Sequence, residues 1–216
     1  MTSLSPGAIT LLAGAIRYAL GGCASVAPAE MTRPTPCAQW DLRTLLDHLS
    51  ESLADLETAI RTGHLGRERQ QGRLPADPVE LLRDRAAALL CAAYDPGRAG
   101  AFIAVAGLPL PAGLVTCTGA VEITVHGWDV SAARLSADGG AGRPVPAALA
   151  TRMLPLCPLL VASREGLFAG PVEVPAGASP GDRLVGYLGR DPGWHSPADP
   201  GGAPEQPPGP HVVTDE

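Results

Sequence analysis

DLRTLLDHLSESLADLETAIRTG, residues 41–63, decides the fold. Leu42, Leu45, Leu46, Leu49, Leu53, Leu56 and Ile60 recur every three or four residues, which lays one apolar stripe along a helix from about Asp41 to Thr62. Gly63 supplies a stop signal just past the last periodic residue. A helix with a single apolar face must bury that face against others, so the rest of the chain is read for partners.

Upstream, residues 5–25 repeat the pattern with Leu11, Leu12, Ile16 and Leu20, and Gly21-Gly22 is expected to fray the helix end. Residues 8–22 resemble a signal peptide only superficially. Arg17 interrupts the apolar run and no basic region precedes it, so an amphipathic first helix is expected. Pro34 and Pro36 bias their predecessors to extended geometry. Downstream, residues 64–77 read as a polar loop. Pro78–Tyr94 reads as a third helix with Pro in its first turn and Leu81, Leu82, Leu89 and Leu90 inward, ended by Asp95-Pro96-Gly97. Ala101–Leu110 is either a short strand or a packed connector. Leu114–Leu135 reads as a long fourth helix with a stripe of Leu114, Val121, Val125, Trp128, Ala132 and Leu135. A further helix, Val145–Ser163, is broken by Pro155 and Pro158. Val172–Val174 reads as extended and Arg183–Leu188 as a short helix. The expected organisation is an all-α antiparallel bundle over residues 1–165, a short extension over 166–195 and a disordered Pro/Gly-rich tail over 196–216.

Composition agrees. Hydrophobic residues make up 45% of the 216 and aromatics 4%, with much Ala, which suits close-packed helices. A net charge of −6 with scattered basic residues leaves no footprint for nucleic acid or a membrane surface. The five cysteines, Cys23, Cys37, Cys91, Cys117 and Cys157, are odd in number and show no CxxC pair, which points to reduced thiols in a cytoplasm. No run reaches the ~18 apolar residues of a membrane span.

Glu122 and His126 stand four residues apart, neighbours on one helical face with Cβ atoms ~5–6 Å apart, able to bind one ion. By spacing alone such a pair is more often a solvated, salt-bridge-like pair than a metal site. Asp129 follows on the same face, either to orient the imidazole or as an extra ligand. A third ligand must come from another helix. His48 is the candidate, because His64 lies in the polar loop and His195 and His211 lie at or in the tail. At ~100° per residue both His48 and the trio flank their helices' stripes, so they meet if those flanks share a cavity. Cys37 reads as either a reactive thiol ahead of a helix or a small buried residue under Trp40.

Three segments carry a family resemblance. PTPCAQWDLRTLLDHL (34–49) resembles the PTPC-x-x-W opening of the mycothiol-dependent maleylpyruvate isomerase family, within the DinB-like superfamily; EITVHGWDV (122–130) resembles its E-x-x-x-H-G-W-D helix; DRLVGYLGRDPGW (182–194) is similar to a C-terminal signature of an actinobacterial branch. The resemblance implies a DinB-like four-helix bundle holding a divalent metal, usually zinc, on His48, Glu122 and His126. It also implies a low-molecular-weight thiol, mycothiol, as cosubstrate, whose sulfur adds to a small electrophile in an isomerisation or a lasting transfer. Arg183 or Arg190 is a candidate for binding an anionic substrate group. The isomerase carries a larger C-terminal domain, where here only about Pro171–Trp194 follows the bundle. The expected protein is a cytoplasmic monomer or homodimer. Two other readings stay open: a thiol-independent, metal-assisted isomerase, cyclase or lyase of specialised metabolism, and a non-catalytic bundle stapled by its metal.

Overall fold

The computed structural model describes residues 4–24, 26–38, 40–66, 77–95, 100–135, 142–160 and 169–196. Four long helices dominate these residues: α1 (Pro6–Cys23), α2 (Leu42–Thr62), α3 (Pro78–Tyr94) and α4 (Ala112–Leu135). Three short ones follow, α5 (Ala147–Met153), α6 (Cys157–Leu160) and α7 (Pro180–Tyr187). The fold is all-α in class, with one small sheet. Each early helix opens on a side chain that takes up orphan amides: Ser5 accepts from Ala8, Asp41 from Thr44, and Asp77 from Val79 and Glu80. Gly63 closes α2 in the left-handed conformation, φ 76°. The stripe read from residues 41–63 is the buried side of α2: all seven of its apolar residues are in the core.

The helices do not simply alternate in direction, as an antiparallel bundle requires. Ser5, at the start of α1, lies against Gly113 at the start of α4, and Ala19 and Gly22 lie against Gly127 and Ser131, so α1 and α4 run parallel. His48, Ser52 and Leu56 of α2 meet His126, Glu122 and Gly119 of α4 in reverse order, so α2 opposes α4. Leu82 and Ala86, in the first half of α3, line one small gap with Ile16, Ala19 and Leu20 in the second half of α1, which places the start of α3 near the end of α1 and makes α3 parallel to α2. The physical reason is connection length. A helix of 17 residues spans ~25 Å, and the chain between α2 and α3 is long enough to return along it.

Other elements refine the sequence reading. Gly21-Gly22 does not fray α1: Gly22 is buried, and Arg134 Nη1 donates to its carbonyl at 2.9 Å, so the last turn of α4 completes the last turn of α1. The polar loop at 64–77 begins with a strand, β1 (His64–Leu65); residues 67–76 lie outside the described set. Ala101–Leu110 is a hairpin, β2 (Phe102–Val105) and β3 (Leu108–Pro111). Ala106 and Gly107 turn it with φ of 49° and 82°, the two positive values of a turn that follows the twist of paired strands. β1 joins β2 in parallel, giving the order β1-β2-β3. In α4 the expected stripe is too narrow: nearly every residue from Ala120 to Ala133 is buried, while Leu114 and Leu135 at its ends are exposed. The broken helix at 145–163 is α5 and α6, its last residues outside the described set. Val172–Val174 forms no strand; Val172 donates to the Gly186 carbonyl. The boundary at 165/166 and the tail from residue 197 fall outside the described residues. No described helix is long and apolar enough to cross a membrane.

Candidate metal centre

α2 and α4 cross so that three donors, two imidazoles and a carboxylate, converge. One ligand atom each from His48, Glu122 and His126 lies within 4.8 Å of the others. His48 Nε2 stands 3.3 Å from Glu122 Oε1. The two imidazoles meet edge to face, 5.0 Å between centroids. Trp40 packs against both with its ring tilted, at 4.5 Å from His48 and 5.8 Å from His126 between centroids. It is held there because Thr35 folds the Pro-rich loop back, its hydroxyl donating to the Trp40 carbonyl at 2.8 Å. The side chains of His48 and Glu122 remain 31% and 33% exposed, so the cluster opens outward instead of closing into the core.

Behind the cluster lies a fully buried support. His126 Nδ1 stands 3.0 Å from Asp129 Oδ2. Arg190 Nε and Nη2 both donate to Asp129, at 3.0 Å to Oδ1 and Oδ2 respectively, and Nη1 donates to the Leu188 carbonyl at 3.3 Å. Burial, the largest influence on Asp129, pushes its carboxyl up, but the His126 hydrogen bond and the Arg190 charge outweigh it and hold the carboxyl below its usual value. An ionised carboxylate only accepts, so Nδ1 of His126 donates to it, and Nε2 is the ring nitrogen left for a ligand. The same opposition acts on Glu122. Burial raises it, while hydrogen bonds from His48 and Ser52 and the charge of His126 bring it down further. The Ser52 hydroxyl donates to Glu122 Oε1 at 2.7 Å.

Two imidazoles and one carboxylate form a donor set that suits zinc and its neighbours, and an outer contact of the kind that fixes a ligating imidazole is present at His126. The cluster faces a cavity of about 1020 Å³. Cys37, Trp40, Ser52, Asp55 and Arg190 contribute its polar lining; Leu56, Leu65, Val105, Leu110, Val115 and Ile123 contribute its apolar wall.

The structure therefore brings His48, Glu122, His126 and Asp129 together, as the spacing argument requires, and seats Asp129 against the imidazole. Arg190 reaches the site but engages Asp129. Arg183 is exposed and does not line the cavity. His64 and His195 are exposed and take no part; His211 is outside the described residues. Cys37 is half-buried and borders the cavity, 3.8 Å from Arg190 Nη2, with burial as the main influence raising its thiol above the ordinary value. Ser52, Asp55 and the hairpin residues were missed. Ser52 and Asp55 had a signal, lying one and two turns after His48 on the same flank of α2.

Residues 12–131, more than half of the chain, match the family model described as the mycothiol maleylpyruvate isomerase N-terminal domain. Neither the curated proteins nor the solved structures offer a match.

Proposed function

The chain belongs to the mycothiol maleylpyruvate isomerase N-terminal domain family, and from that premise we propose a cytoplasmic, metal-dependent enzyme that uses mycothiol in isomerising, or transferring sulfur to, a small electrophile. The observation that carries this reading is the convergence of His48, Glu122 and His126 within 4.8 Å at the edge of a cavity. Those three residues would hold the ion, zinc first. The ion supplies Lewis acidity that lowers the pKa of a thiol.

Everything else is the work of side chains. Asp129 keeps the His126 proton on Nδ1, so that Nε2 stays a lone-pair donor. Ser52 fixes one oxygen of Glu122 and leaves the second unassigned. Trp40 packs against both rings and covers one side of them. The reaction class is addition of a thiolate to an electrophilic double bond: the thiol proton passes to solvent, the C–S bond forms as the π bond breaks, and the displaced electron pair either takes up a proton, when the sulfur is retained, or returns to re-form the double bond, when the sulfur is expelled. Expulsion of the thiol then completes an isomerisation, and its retention completes a transfer. A site that only staples a fold is closed on all sides by protein; one bordering a cavity of about 1020 Å³ favours catalysis over stapling.

Metal analysis of the purified chain is expected to give one zinc per protein, and His126→Ala to abolish it while the helical circular dichroism spectrum persists. Calorimetry should then detect mycothiol binding only to the zinc-loaded form. A wild-type chain that retains no divalent metal and binds none at micromolar concentration would sink the reading.

A further inference from the structure

We propose that the electrophile is an uncharged molecule with an apolar body, seated against a wall that the hairpin supplies. The proposal rests on reading the cavity as the reaction chamber, and it adds the substrate class.

The first observation is charge. Arg190 is the one Lys or Arg among the described lining residues. Its guanidinium is engaged: Nε and Nη2 hold the Asp129 carboxylate, which cancels its charge, and Nη1 holds the Leu188 carbonyl. Two carboxylates, Asp55 and Glu122, face the same space. The charge of the ion that His48, Glu122 and His126 would hold is balanced by Glu122 and by the thiolate, so an anionic substrate group would leave water without gaining an unengaged lysine or arginine among the described lining residues, and desolvating a charge with no counter-charge is strongly unfavourable.

The second observation is surface. Leu65 is paired with Val105, and Ile103 with Leu110, so strand alternation puts Leu65, Val105 and Leu110 on one face of the sheet. All three line the cavity, joined by Leu56 of α2 and Val115 of α4. A volume of about 1020 Å³ lies at the upper end of the ~300–1,000 Å³ typical of small-molecule sites, with room for a thiol and a second reactant. The apolar wall is the part of that space with no partner in the metal cluster.

Unreactive succinimides test this without turnover. N-Butylsuccinimide and 4-succinimidobutanoate share a head and a chain length and differ in ending on a methyl or a carboxylate. Titrated calorimetrically into the zinc-loaded, mycothiol-treated protein, the butyl compound is expected to bind at least about tenfold tighter. Equal affinity, or a preference for the carboxylate, overturns the proposal. Leu110→Arg, on the half-buried outer strand, should erase or reverse the preference with the thermal melt unchanged. Val105→Asp, as a second variant, should weaken the butyl compound about tenfold or more. If both variants fold and the affinity ratio stays as in the wild type, the wall is misassigned and the proposal fails. Mycothiol titrated alone is read separately: no binding would defeat the thiol chemistry, while the succinimide ratio still decides the substrate class.

Discussion

Asp41 accepts the Thr44 amide at 2.8 Å at the mouth of α2, two turns before His48. Hydrogen bonds from the Thr44 side chain and amide hold its carboxyl below the ordinary 3.8. A carboxyl depressed in the folded state stabilises the fold fully above its unfolded value, and that contribution disappears as pH falls through the lower, folded value. Asn caps a helix about as well as Asp but does not titrate. Asp41→Asn should therefore match wild type in urea at pH 7 and lose less stability on acidification below pH 4. Asp41→Ala should cost ~0.5–2 kcal/mol already at pH 7. Urea midpoints followed from pH 6 to pH 2 check this, and parallel acid losses in wild type and Asp41→Asn would refute it. At this scale Glu122, His126 and Asp129 were legible because helix geometry links residues three and four apart, and His48 by elimination among the histidines and by the family resemblance. The partnership of Asp129 with Arg190 was not, because 61 residues separate them and only the closed fold makes them neighbours.

Two glycines of α4 separate a packing constraint from a tolerant one. A Cβ on Gly127 would lie 2.7 Å from the Ala19 Cα, so the backbones of α1 and α4 would have to part. A Cβ on Gly119 would lie 2.5 Å from Leu56 Cδ2, the far end of a flexible side chain that borders the cavity and can swing away. Gly to Ala inside a helix gains up to ~1 kcal/mol in propensity, and overpacking a rigid contact costs ~1–3 kcal/mol. Gly127→Ala should therefore destabilise by about 1–2 kcal/mol net, and Gly119→Ala should be neutral or slightly stabilising. Thermal melts of the two variants decide it, and the reverse ranking would show that α1 and α4 do not pack in this register. The elements differ in legibility for a related reason. α2 and α3 each bury one face and end on caps, so periodicity and Gly or Pro punctuation locate them. α4 is buried nearly all round, so its stripe misled. The hairpin strands have four residues each, with Phe102 and Leu108 exposed, too short and too irregular to show a period. Helix direction was invisible because a long connection permits either return.

Across the whole molecule, the segment from residue 169 is tied to the bundle by Leu184, Val185 and Leu188 in the core and by a buried ion pair. Arg190 is 7% exposed, Asp129 not at all, and their contact joins the turn after α7 to the middle of α4, directly behind His126. Burying two charges is costly, and the pair has value chiefly because each makes the other tolerable. The consequence is asymmetric. Arg190→Met leaves the Asp129 charge buried with only an imidazole to answer it, and should cost ~3–5 kcal/mol. Adding Asp129→Asn removes that orphaned charge, so the double variant should be more stable than Arg190→Met alone despite carrying one more substitution. Urea unfolding of the four proteins at pH 7 yields the coupling energy directly. The metal provides an independent reading of the same contact. An amide in place of the Asp129 carboxylate can turn either an oxygen or an NH₂ group toward Nδ1, so the imidazole loses its enforced tautomer. Zinc affinity should then fall ~10–100-fold in Asp129→Asn, and restoring stability in the double variant should not restore that affinity. If Arg190→Met stays within ~0.5 kcal/mol of wild type, the level expected of an ordinary surface change, the pair holds nothing together and the C-terminal segment merely rests on the bundle.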